Sequence, residues 1–138
     1  MYSPTETIKG RGNDPTGHGY YGAKRGKRKH KGWDLVAYPE QRIISPHGGK
    51  ITKLGYCYEG NMDLRYIEIT DKIYRSRLLY VKPLNIKVGD LIMDCHEIGT
   101  AQDIASHWGN GMINHIHWQI WKHGLLTDPE PLVLDNTY

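Results

Sequence analysis

Two histidines, His115 and His117, flank a single isoleucine in NHIHWQIW (residues 114–121), in a chain that has only eight histidines. Imidazoles can ligate a metal or exchange protons near neutral pH. Whether these two act together depends on the backbone that carries them. On a helix they would lie about 200° apart, and Ile116, Trp118, Ile120 and Trp121 would wrap most of the circumference. On a strand the segment sorts cleanly: Ile116, Trp118 and Ile120 share one face, and His115, His117, Gln119 and Trp121 the other. The apolar row can then pack on a core, which leaves the imidazoles side by side on a candidate site.

A catalytic zinc site takes three nitrogen or oxygen ligands and keeps a fourth position open, so two histidines cannot build one. The further candidates lie in HKGWD, where His30 and Asp34 are four residues apart. Gly32 lets the backbone turn, and the LVAY that follows begins a packed segment able to hold Asp34 rigidly. Each pattern alone is weak: chance often produces H-x-x-x-D, and an H-x-H strand can be a plain pair of surface imidazoles. His47 lies in a turn signal and reads as a surface residue. His107, in SHWGN, precedes the site and is a candidate to line it. His18, His96 and His123 have no partner pattern, and Trp108 and Trp121 are candidate apolar walls.

The elements that must position these groups read as strands. The chain has 138 residues, enough for one domain with its own core. Sixteen glycines act as punctuation, ten tyrosines and four tryptophans stand where phenylalanine is absent, and no long segment keeps a 3.6-residue apolar period. Residues 42–45 and 50–58, separated by PHGG, read as a hairpin. Strands are further expected at 64–70, 77–82 and 91–95 before the histidine strand, which is entered from an irregular loop, SHWGNGMIN. An antiparallel sheet or sandwich-like fold follows. No apolar run approaches the roughly 20 residues of a membrane span, and no export signal is visible, so a soluble protein is expected. Cys57 and Cys95 form no C-x-x-C pair. Two buried free thiols are favoured over a disulfide.

Charge is unevenly spread. Residues 1–31 hold eight Lys and Arg against two acids, net +6, and the remainder is net −3. Most of the excess lies in AKRGKRKHK (23–31), which as a solvated loop or a docking segment favours an anionic partner: nucleic acid, an acidic wall polymer or a membrane surface.

Taken together, KHKGWDL, IISPHGGKITKLGY, YVKPLNIKVGDLI and GNGMINHIHWQIW resemble the lysostaphin-type zinc endopeptidases that cut peptide bridges in bacterial peptidoglycan. The resemblance spans roughly residues 28–123. It implies a mainly β fold, a twisted antiparallel sheet with a groove lined by loops, with residues 1–23 as an N-terminal arm or extension and 24–138 as a single zinc-binding domain. It implies Zn²⁺ as cofactor, with His30, Asp34 and His117 as its ligands, and His115 as the catalytic histidine beside the attacking water.

One departure stands out. Peptidases of the family carry a further catalytic histidine in a Tyr-x-His motif, whereas this chain reads Tyr80-Val81-Lys82, which puts Lys82 where that imidazole belongs. The same context is found in the leukocyte-derived chemotaxin branch, which implies an alternative: a non-catalytic zinc-binding module for a glycan, wall peptide or protein partner. A lysine cation near its reference pKa of about 10.4 can donate to an oxyanion but cannot act as base, a role open to His115. The expected partner is peptidoglycan or another anionic wall polymer, with a larger protein assembly as a further partner. Nucleic acid ranks last, because it leaves the histidine and aspartate constellation unused. The expected place of action is the bacterial envelope. With no export signal visible, delivery by a virus particle or by lysis is expected.

Overall fold

The computed structural model describes residues 1–134, and most of its elements are β-strands, whose side chains alternate between two faces. Two short ribbons open the chain, β1 (Asn13–Asp14) with β2 (Gly17–His18) and β3 (Lys24–Arg25) with β4 (Arg28–Lys29). Next come β5 (Trp33–Val36), β6 (Arg42–Ile44), β7 (Gly49–Tyr56), β8 (Arg65–Thr70), β9 (Tyr74–Leu79) and β10 (Val81–Pro83). The remaining elements are β11 (Leu91–Ile92), β12 (Glu97–Ala101), a one-turn helix α1 (Ala105–Trp108), the histidine strand β13 (His115–Lys122), β14 (Leu125–Thr127) and α2 (Pro129–Leu134).

The main sheet is antiparallel, with β11, β7, β8, β9 and β13 as successive neighbours. Along the other edge of β13, β5 pairs with its first half and β14 with its end. A second sheet, in the order β10, β12, β6, shares one apolar cluster with the first. Ile116, Trp118 and Ile120 are fully buried in that cluster with Ile51, Ile67, Ile69 and Leu78. Burying each such side chain contributes roughly 1.5–3 kcal/mol. This fixes the register of β13, because a slip of one residue would exchange those side chains for histidines and glutamine. The architecture is the mainly β, twisted antiparallel fold with a loop-lined groove that the sequence implies. No helix among the described residues is long and apolar enough to cross a membrane.

Several local expectations are corrected. The segments at 42–45 and 50–58 do not form a hairpin: β6 pairs with β12 in one sheet, and β7 with β8 and β11 in the other. PHGG carries the chain from one sheet to the next, and Gly49 there lies against the backbone of Thr70, where an added Cβ would come within 2.6 Å of the carbonyl oxygen. His47 is therefore buried rather than on the surface. Its Nε2 lies 2.8 Å from Ser76 Oγ, which also accepts a hydrogen bond from Trp118 Nε1 at 3.0 Å. Residues 106–108 of the expected loop belong to the short helix α1 instead. The span 77–82 is split, because Tyr80 takes φ of 70° between β9 and β10. Both cysteines are free as expected, Cys57 half-buried, but Cys95 is exposed.

Ser76 is the shared polar partner of His47 and Trp118 beneath the sheet, so removing its hydroxyl leaves two buried groups short of a partner. Ser76→Ala is expected to lower the unfolding free energy by about 1–3 kcal/mol, measured by urea denaturation.

Candidate functional site

The register of two strands builds the site. On β5 and β13, Asp34 lies directly opposite His117, with Leu35 opposite Ile116 and Trp33 opposite Trp118. Opposed residues of an antiparallel pair project their side chains to the same face, so a contact across 83 positions becomes that of nearest neighbours. The fourth residue before Asp34, His30, enters from the loop after β4.

The three side chains converge. His117 Nδ1 lies 2.8 Å from Asp34 Oδ1, His30 Nε2 lies 3.2 Å from the same oxygen, and the two ring nitrogens are 3.0 Å apart. Tetrahedral zinc with bonds near 2.05 Å would set its ligand atoms about 3.3 Å apart, close to this triangle. The donor chemistry agrees. His30 Nδ1–H donates to the carbonyl of Tyr20 at 2.9 Å, which leaves Nε2 as a bare lone pair aimed at a carboxylate oxygen and another ring nitrogen. Three lone-pair atoms brought together in this way fit a divalent cation, and their type, two imidazole nitrogens and one oxygen, fits zinc.

Gly32 serves close approach. A Cβ there would stand 2.5 Å from the carbonyl oxygen of Trp118 and 2.7 Å from Nε2 of His117. The chain bends at Gly32 as expected, and the loop also needs the space of a missing side chain there.

The outer oxygen of Asp34 is held by residues that sequence reasoning left unassigned. Arg11 Nε donates to Asp34 Oδ2 at 3.0 Å, and Arg11 Nη1 bonds Asp14 Oδ2 and Thr16 Oγ1, each at 2.8 Å. The Arg11 and Asp34 backbones are tied as well: Arg11 N–H donates to the Asp34 carbonyl and Asp34 N–H to that of Gly19, each at 2.8 Å. Asp14 Oδ2 also accepts from the backbone N–H of Ile113 at 2.9 Å, which pins this first segment to the loop leading into β13. Residues 11–19 thus form part of the site wall. No spacing pattern in the sequence marks them.

Burial alone would raise the Asp34 carboxyl, but in the metal-free site hydrogen bonds from His117 and His30, which these rings can donate only while they hold the proton that a metal would displace, keep it far below the usual carboxylate range. It is an anion whenever the site is assembled.

His115 stands apart from the three ligands. Its Nδ1–H donates to the Ile113 carbonyl at 2.7 Å, so Nε2 carries the free lone pair, 3.4 Å from Asp34 Oδ2. Burial lowers its pKa from the ordinary value while the Asp34 carboxylate pulls the other way; the net shift is downward, so the ring is neutral at pH 7.

These groups open on a groove of about 700 Å³. Tyr58, Tyr80 and Trp108 line it, as do Arg25, Arg28, Lys29 and Lys31. Tyr80 meets His115 edge-on at 6.0 Å between ring centres, and its hydroxyl bonds that of Tyr58 at 2.7 Å. Lys82 does not line the groove. It is exposed on β10, paired with Thr100 of β12 in the second sheet. The expected substitution of a catalytic histidine by Lys82 is therefore overturned, because the left-handed turn at Tyr80 breaks the alternation that would have put residues 80 and 82 on one face. Trp108 lines the groove as expected. Trp121 does not, and is instead covered by Arg75, 4.3 Å above its ring. His107 is exposed on α1 and lies outside the groove.

Gly32→Ala is expected to abolish stoichiometric zinc binding in metal analysis of the purified protein while leaving strand content by circular dichroism in place, since its Cβ collides with a ligand ring.

The sequence model of peptidase family M23 matches residues 28–129. Among solved structures, the chain is similar to the catalytic domain of the antimicrobial peptidase lysostaphin from Staphylococcus simulans, with 23% identity over 84% of this chain and 89% of that one and a TM-score of 0.63. It is similar to full lysostaphin from the same organism, with 20% identity over all of this chain but 56% of that one and a TM-score of 0.70, so it spans about half that length. A third likeness is to Csd3 of Helicobacter pylori, with 17% identity over 96% of this chain and 33% of that one and a TM-score of 0.69. A sequence search of the curated proteins found no match. The family's pattern covers well over half of the residues and includes both strands that carry the converging donors, so the chain belongs to peptidase family M23.

Proposed function

We propose that this protein is a zinc metallo-endopeptidase that cuts peptide cross-bridges of bacterial peptidoglycan and acts at the cell envelope. One observation carries the reading: a buried imidazole, His115, bonded through Nδ1 to the Ile113 carbonyl, turns Nε2 toward three converging metal donors. A purely structural metal site has no need of such a neighbour. When bound by His30, Asp34 and His117, zinc would polarise the scissile carbonyl and acidify the attacking water.

The chain's own residues supply the rest. His115 accepts the proton through Nε2 and later returns it to the leaving amine, its ring held in one tautomer by the Ile113 carbonyl. Tyr80 is the neutral donor for the oxyanion. Burial, together with its bond to Tyr58, holds its phenol far above the ordinary value, so it keeps the proton that an oxyanion donor needs. The Arg11 guanidinium on Asp34 Oδ2 keeps the other carboxylate oxygen directed at the two histidines. The groove is open enough to admit an extended peptide along β13, where Gln119 continues its floor past His117.

The non-catalytic alternative rests on the lack of a histidine at the Tyr-x-His position. Lys82, in its place, is exposed and lies outside the groove, so in the peptidase reading that histidine's part falls to His115 and Tyr80.

His115→Ala is expected to retain zinc but slow the release of new amino termini from purified peptidoglycan by about 10²- to 10⁴-fold, whereas His117→Ala loses the metal and the activity together. Wild type that binds zinc stoichiometrically and releases no termini would return the protein to the binding-module reading. Tyr80→Phe is expected to lower kcat by about 10²-fold or more at full zinc content, as for loss of one oxyanion donor. Lys82→Ala and Lys82→His are expected to leave kcat/KM within about twofold of wild type, because an exposed side chain outside the groove makes no transition-state contact.

A further inference from the structure

The ribbon of β3 and β4 breaks a rule of sheet pairing. Lys24 lies directly opposite Lys29, and Arg25 directly opposite Arg28, so four cations face one another across two strands of two residues. Like charges at opposed positions destabilise a ribbon. Among the described residues, no ion pair relieves any of the four, although Arg11, Arg42 and Arg77 all have carboxylate partners. Proteins tolerate local conflicts of this kind at functional sites.

Its placement narrows the function. Arg25, Arg28 and Lys29 line the same groove as the metal donors, and the residue after Lys29 is the ligand His30. Arg25 is already set in position. Its Nη2 donates to the His18 carbonyl at 2.6 Å and its Nη1 to that of Lys24 at 3.1 Å, which leaves three further N–H groups for a ligand. Gly17 makes room for it, since a Cβ there would come within 3.2 Å of Nη1. A guanidinium fork held beside a second cation is suited to a planar carboxylate.

We infer that the β3–β4 ribbon is a substrate subsite that binds a free carboxylate carried by the peptide being cut, within a few residues of the scissile bond. The inference rests on the peptidase reading and adds the substrate class: peptides with an acidic side chain or a free α-carboxyl near the cleaved link. A general polyanion anchor would need no place inside the catalytic groove.

The test uses zinc-loaded, full-length protein and purified peptidoglycan in two forms, with its peptide carboxyl groups free or converted to amides. Co-sedimentation and release of amino termini are read on both. Wild type is expected to bind the free form about tenfold more tightly and to show a correspondingly lower KM on it, and R25Q/R28Q is expected to lose that preference at unchanged zinc content. A control that removes the same charge elsewhere, at exposed Lys50 and Lys87 (K50Q/K87Q), is expected to keep the preference. Equal binding of the two forms by wild type overturns the subsite. So does loss of the preference in the control, which would assign it to net charge and to polyanions generally. Binding that discriminates the two forms without any release of termini upholds the subsite while removing the peptidase reading, so the two fail separately.

Discussion

The site depends on one cross-strand pair. Asp34 and His117 meet because β5 is hydrogen-bonded to the first half of β13, and the register that sets them opposite each other is enforced from beneath by Ile116, Trp118 and Leu35 in the core. The metal-binding face and the apolar face are two sides of the same strands, so the geometry of the first is only as firm as the packing of the second. Gly32 belongs to the same constraint, since it lets the loop bearing His30 press against that strand pair at backbone distance.

Around this pair the protein balances charge with its own side chains. Asp34 is surrounded by three imidazoles and Arg11, and Arg11 in turn by Asp14 and Thr16. An anion buried this deeply is tolerable only with such partners. The carboxylate is therefore held at both oxygens before any ion arrives, one toward the histidines and the other toward the guanidinium. This pre-set orientation is what an outer layer of contacts gives a metal site. By contrast, among the described residues the cations of β3 and β4 have no carboxylate partner.

Where the alternation was unbroken, the sequence was readable. NHIHWQIW declared its strand and its two faces, and the H-x-x-x-D and H-x-H spacings, joined by the family resemblance, pointed to His30, Asp34, His117 and His115. The reading failed where one residue resets the alternation or where the relevant contact is distant. At Tyr80 a left-handed backbone, unusual for a tyrosine, moves the phenol into the groove and turns Lys82 onto the other sheet. Nothing in YVKP announces this, because tyrosine there fits an ordinary strand equally well. The PHGG turn was legible as a turn, but not as a crossing between sheets, which depends on what β6 meets more than 50 residues later in β12. Arg11 and Asp14 were invisible for a similar reason: their meaning lies in contacts with Asp34 and Ile113 rather than in any local pattern.

Residues 11–19 lie outside the stretch matched by the family's sequence pattern, yet they hold the far oxygen of a ligand and are fastened to the approach of the histidine strand. The smallest transplantable unit of this protein is therefore larger than its recognisable signature. Grafting residues 28–129 into another polypeptide would carry the histidines across and leave their carboxylate without its guanidinium.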